Sequence, residues 1–234
     1  MADHTSSDFD HAIERARQLV GMMAARVERQ LADALESLRS GSRTLIDQIL
    51  RHEAEINGLE RAIDEFTGQV IARRQPAARD LRLLMALLGA TTDLERVGDE
   101  SKKIALFARS IHPAGQALLS RVVELHSMAT VVRDMLRQAA AALAALDARA
   151  GGALVRRDLD ANDAFRAVLA RLAGFMVQDP RTISRCVDIL FVAKSLERIG
   201  DHAKNVGEHV VYAVVGTDVR HASAQEIEQV VLRS

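Results

Sequence analysis

Two pairs of carboxylates have the spacing to do chemistry. Glu95 and Asp99 stand four residues apart, and so do Glu197 and Asp201. Each pair lies in one of two near-identical hexapeptides. Leu94-Glu95-Arg96-Val97-Gly98-Asp99 returns 102 residues later as Leu196-Glu197-Arg198-Ile199-Gly200-Asp201. On an α-helix this spacing stacks both acids on one face, about 6 Å apart along the axis. Stacked carboxylate oxygens suit a hard, oxygen-loving cation. The ordinary alternative is a solvated flank whose acids pair with Arg or Lys one turn away. Duplication of the step, with its glycine and arginine in place, favours the metal. A glycine inside a helix costs about 1 kcal/mol relative to Ala, so Gly98 and Gly200 predict a close approach to the backbone.

Two side chains cannot fill six coordination positions, so the site would need acids from adjoining helices or a second metal. Asn205 and Glu208 continue the flank below Asp201, and Glu53, Asn57, Glu60, Asp160 and Asp163 are the candidates elsewhere. Glu53 and Glu60 fall in phase with Ile49, Ile56 and Ile63, an odd place for acids unless a cation compensates them. The copies differ one turn on: the second reads Glu197, Asp201, Asn205 and the first Glu95, Asp99, Lys103. An ammonium beside two carboxylates competes with a metal, so the second site is predicted to be the stronger. Histidine offers less. His202 and His209 are predicted at the surface, and no inward His-x3-His pair is present for zinc. The chain holds no phosphate-cradling glycine loop, no Gly-x-Ser-x-Gly and no convincing Ser/His/Asp arrangement. No apparatus for covalent catalysis is visible.

The elements that carry these acids are long helices. Apolar residues step by threes and fours from Phe9 to Leu38, and a second helix is predicted over 44–74 with isoleucines at heptad spacing. Gln75-Pro76 separates it from a third, whose stripe runs from Leu83 through Leu94 and Val97 to Ile111. His112-Pro113-Ala114-Gly115 marks the boundary between halves. A fourth helix is predicted over 117–149, a turn at Gly151-Gly152, and a fifth over 154–177 ending at Asp179-Pro180. The sixth shows Ile189, Val192, Leu196, Ile199, Ala203, Val206 and Val210, in register with the third at the offset of 102. A short amphipathic helix is predicted over 224–232. Nothing alternates with period two. Short loops between long helices make neighbours antiparallel, so the predicted fold is all-α: two tandem antiparallel three-helix bundles, 8–112 and 116–216, joined end to end and related by an internal repeat, with a tail over 217–234.

Composition narrows the class. Of 234 residues 48% are hydrophobic, enough for a continuous core, and aromatics at 3% with three prolines agree with helices. The net charge is −1 and no basic run occurs, which argues against a nucleic-acid binder. The longest apolar stretch, Ala139 to Leu146, is far short of the roughly 20 residues of a membrane span. Asp3, Asp8 and Asp10 replace the basic segment of a signal peptide. The single cysteine, Cys186, lies near the stripe of its helix and is predicted to be a buried thiol. The expected location is cytoplasmic.

The two Leu-Glu-Arg-[Val/Ile]-Gly-Asp copies, Gln75-Pro76-Ala77 with Asp80-Leu81-Arg82 before the first, and the closing Gly216-Thr217-Asp218-Val219-Arg220-His221 resemble the PhoU family. The resemblance runs from about Phe9 to His221. It implies a pair of three-helix bundles with a metal-binding Glu/Asp-x3-Asp step on the last helix of each. Iron, or another divalent ion such as Zn, Mn or Mg, would be held at Glu95 and Asp99 and at Glu197, Asp201 and Asn205. The implied role is negative regulation of phosphate uptake and phosphate-starvation signalling. Its implied partners are a phosphate ABC transporter ATPase and a membrane sensor histidine kinase, with the protein itself a homodimer and not an enzyme. The competing readings from the residues are a carboxylate-bridged metal enzyme and a metal-free helical scaffold.

Overall fold

The structure, a computed structural model, describes residues 2–112, 114–220 and 222–233, with side chains from residue 8 onward. Helix α1 spans Ala2–Ser40, α2 Arg43–Arg74 and α3 Ala78–Ile111. A single turn, α4, covers Gln116–Leu119, followed by α5 at Val123–Ala145 and α6 at Ala148–Gln178. A 3-10 turn at Pro180–Thr182 leads into α7, Ile183–Val215, and α8 closes the chain at Ala224–Leu232. There is no strand among the described residues. None of their helices is long and apolar enough to cross a membrane. Pro113 of the expected boundary and His221 of the closing motif lie outside the described residues.

Local chemistry sets most of these ends. Gly41 turns the chain at φ +68°, and Ser42 caps α2 by accepting from the Leu45 amide. Gly216, at φ +85°, closes α7 by donating to the Tyr212 carbonyl. Ser223 and Glu226 form a reciprocal capping box at the start of α8.

The expected fourth helix is shorter than its apolar pattern. It breaks after Leu119, resumes at Val123, and ends at Ala145. The turn into α6 is made by Leu146, in the left-handed region at φ +51°, and by Asp147, whose carboxylate accepts from the amides of Arg149 and Ala150. Gly151 and Gly152 are therefore inside α6 rather than at a turn. Gly151 is needed for packing: a Cβ there would lie 2.7 Å from the Gly207 carbonyl oxygen, and one on Gly207 would lie 2.5 Å from that of Gly151. Backbones of α6 and α7 thus meet at a glycine pair.

The heptad stripes bury as their periodicity requires. Ile49, Ile56 and Ile63 of α2, Leu94, Val97 and Ile104 of α3, and Leu196, Ile199 and Val206 of α7 are all in one core. Cys186 is a buried free thiol. Helices α1–α3 pack as one three-helix bundle and α5–α7 as the other. The halves lie side by side, not end to end. Helix α3 runs antiparallel along α7, and α1 along α5, so α1, α3, α7 and α5 form a central four-helix layer with α2 and α6 outside. Beside its stripe α3 meets α7 through Gly89, which the His209 ring covers, through Glu100, which pairs with Arg198, and through the stacked rings of Phe107 and Phe191. Helix α8 sits on α6 over its own cluster of Ala148, Val211, Val219, Ile227 and Val231.

Candidate metal centre

In the first bundle, Glu53 of α2 and Glu95 and Asp99 of α3 each offer an oxygen within 4.8 Å of the other two. The isoleucine stripe of α2 carries Glu53 inward, and Gly98 leaves room for it. A Cβ on Gly98 would lie 3.5 Å from Glu53 Oε2 and 3.4 Å from Ile56 Cδ1. That is contact rather than clash, so the approach at Gly98 is milder than the helical glycine predicts. Gly200 is looser still, with Ala161 Cβ at 3.5 Å.

Gln30 of α1, fully buried, donates from Nε2 to Glu53 Oε2 at 2.7 Å and to the Gly98 carbonyl at 3.0 Å. Lys102 Nζ lies 2.7 Å from Asp99 Oδ1 and 3.5 Å from Glu53 Oε1. Burial pushes the Glu53 carboxyl up, and the nearby Asp99 charge adds to that, against Gln30 and Lys102. Burial also pushes on Asp99, but its hydrogen bond and ion pair with Lys102 prevail and hold it below the usual range. Glu95 is raised by burial and by the charges of Glu60 and Asp99, which places Glu60 at the margin of the same field.

Oxygen atoms dominate this centre. Gln30 Oε1 and Asn57 Oδ1, the latter one turn beyond Glu53 on α2, are buried without a hydrogen-bond partner. Such orphaned acceptors beside crowded acids match the donor set of a hard cation.

The second bundle is arranged differently. Glu197 Oε2 pairs with Lys194 Nζ at 2.7 Å. Lys204 Nζ lies 3.2 Å from Asp201 Oδ1 and 3.4 Å from Asp158 Oδ2, and Asn162 Nδ2 donates to Asp158 Oδ2 at 3.2 Å. Burial raises the Asp158 carboxyl, with Lys204 opposing. For Lys204 burial is outweighed by Asp158, Asp201 and Glu208, and the ammonium is held above its ordinary value. Asp160 and Asp163 do not join this group. They face solvent and pair with Arg157 and Arg166, because the inward face of α6 passes through Asp158 and Ala161.

The premise for a stronger second site is overturned. Lys103 Nζ pairs with the buried Glu100 at 2.9 Å and leaves Asp99 to Lys102. Asn205 gives its amide to Asp93 Oδ1 at 3.0 Å. Among the described residues, the first bundle alone brings three acid, imidazole or thiol groups within mutual reach of one ion.

Asn205 belongs instead to a junction between bundles. His202 Nδ1 lies 2.8 Å from Asp93 Oδ1, and His209 Nε2 lies 3.0 Å from Asp93 Oδ2. Both histidines are half-buried rather than at the surface. Gly89 makes room for the second ring, since a Cβ there would lie 2.4 Å from His209 Cε1. Burial would raise the Asp93 carboxyl, but the bonds from His202, His209 and Asn205 hold it at about 2.

Sequence reasoning missed Gln30, Lys102, Lys204, Asp158 and Asp93. One signal was present: Lys102 and Lys204 are also 102 residues apart, so the repeat runs on past the hexapeptide. Asp93 and Gln30 carried none, because their roles depend on another helix.

Tandem three-helix bundles, each ending on a helix with an acidic step facing a carboxylate of its neighbour, define a class of duplicated all-α proteins. The model of one family, described as the PhoU domain, matches residues 20–108 and 125–210. A phosphate-specific transport system accessory protein PhoU homolog of Burkholderia sp is 41% identical over 97% of this chain and 97% of its own length. The Escherichia coli K12 accessory protein PhoU is 33% identical, over 97% of this chain and 93% of its own. The crystal structure of PhoU from Pseudomonas aeruginosa superposes with a TM-score of 0.83 at 36% identity, covering 89% of this chain and all of that one. That of the regulatory protein PhoU from Streptococcus pneumoniae gives 0.83 at 24% and supports the fold. The chain belongs to the PhoU family.

Proposed function

We propose that this protein is a non-enzymatic negative regulator of phosphate uptake, acting in the cytoplasm as a metal-binding adaptor between a phosphate ABC transporter ATPase and a sensor histidine kinase. The observation that carries the regulatory role is near-full-length similarity to proteins named as phosphate-specific transport accessory proteins. The metal part rests on the convergence of Glu53, Glu95 and Asp99. A bound divalent ion, iron or Zn, Mn or Mg, would neutralise these acids and tie α2 to α3, a structural rather than a turnover role. Glu197, Asp201 and Asp158 form the weaker counterpart. An adaptor needs separate surfaces for two partners, and two pseudo-equivalent bundles, self-associated as a homodimer, provide them.

Deletion of the gene tests the regulatory reading. Phosphate-starvation genes are expected to be derepressed in phosphate-rich medium. Normal repression, with no binding of the purified protein to either partner, would reject it. For the metal, Asp99→Ala is expected to remove most of the ion that co-purifies, and Asp201→Ala less, with helicity unchanged by circular dichroism. Unaltered metal content in both variants would reject the assignment.

A further inference from the structure

The two acidic centres share a feature that neither the hexapeptide nor the family resemblance assigns. In each, a lysine three residues after the aspartate reaches across to the carboxylate on the neighbouring helix. Lys102 bridges Asp99 and Glu53, and Lys204 bridges Asp201 and Asp158. The two lysines are 102 residues apart, the offset of the repeat itself, so the arrangement is duplicated with the motif. We propose that Lys102 and Lys204 are built-in counter-cations that occupy the position of the metal, so that a divalent ion enters each centre only by displacing an ammonium. This inference rests on the metal-binding reading above.

The physical case is one of charge and reach. Carboxylates on α2 and α3, or on α6 and α7, repel when brought together in a partly buried site. A cation between them removes that repulsion, and either a metal or an ammonium can serve. A lysine is suited to yield the place. Its charge is compact and sits on a flexible four-carbon stem, and the side chains of Lys102 and Lys204 remain 29% and 22% exposed, so each head has a path to water. Lys103 has no such position. It is tied to Glu100 along its own helix, outside the acids assigned to the metal, and serves as an internal control.

The consequence is a metal affinity set by the lysines. Removing the ammonium abolishes both the competition for the carboxylates and its repulsion of the incoming ion. Lys102→Gln is therefore expected to tighten Mn2+ binding at the first centre by about tenfold or more. Lys204→Gln should do the same at the second, and Lys103→Gln should change nothing.

The experiment titrates the full-length protein, freed of metal by a chelator, with Mn2+ alone, for the wild type and the three variants. Alongside it, reductive methylation of the wild type with and without Mn2+ is read lysine by lysine by mass spectrometry. Mn2+ should raise labelling at Lys102 and Lys204 and leave Lys103 unchanged. The labelling arm needs no variant, so a substitution that fails to fold does not shield the idea. If the wild type binds Mn2+ but the Gln variants bind it equally and labelling does not respond, the lysine inference falls and the metal reading stands. If neither wild type nor variant binds Mn2+, both fall.

Discussion

Asp93 holds the two bundles together through three bonds from α7, and its carboxyl, at about 2, lies below its ordinary value of 3.8. A depressed acid contributes stability that is present above the unfolded value and lost as pH falls through the folded one. The loss should therefore occur between about pH 4 and pH 2 and amount to roughly 2 kcal/mol. Urea unfolding across that range should show it in the wild type. Asp93→Asn should be less stable at neutral pH by a similar amount and lack that part of the acid limb; an unchanged limb would mean that the junction is not where the acid sensitivity lies. At the same scale, Lys103→Asn should leave metal content at the first centre as it was, because Lys103 pairs with Glu100. A gain in occupancy would place that ammonium in the site after all.

At the scale of elements, the glycines are not equivalent. Gly98 and Gly200, singled out by the repeat, meet their neighbours at 3.4 Å and 3.5 Å, whereas Gly207 and Gly151 meet at backbone atoms. Gly207→Ala must push α6 from α7 and is expected to cost about 1–3 kcal/mol. Gly200→Ala should fall within about 1 kcal/mol of the wild type, since helix propensity favours Ala and the contact is ordinary. Equal losses at the two positions, in denaturant titrations, would remove the distinction. The fourth helix teaches the same point. The expected helix continues past Leu146 to Arg149, but the cap formed by Asp147 stops it at Leu146, and the glycine pair expected to turn the chain is used for packing instead.

For the whole molecule, one core runs through both bundles. Heat should unfold them in a single transition, with calorimetric and van't Hoff enthalpies equal. Two separated transitions would show that the α3–α7 contact couples the halves only weakly. A fragment of residues 1–112 should self-associate on gel filtration, because α3 would expose the face it buries against α7; a stable monomer would contradict that packing. The sequence by itself determined the helices, their stripes and the duplicated acids, because these depend on a 3.6-residue period and on short-range capping, both written locally. It also placed Glu53 facing inward, through its phase with Ile49 and Ile56. Only the tertiary structure decided that the bundles lie side by side, that Asp158 rather than Asp160 or Asp163 faces Asp201, that Lys102 rather than Lys103 holds Asp99, and that Asn205, His202 and His209 converge on Asp93. Each of these turns on which face of a helix meets another helix, and a step of one or two residues rotates a side chain by about 100–200°.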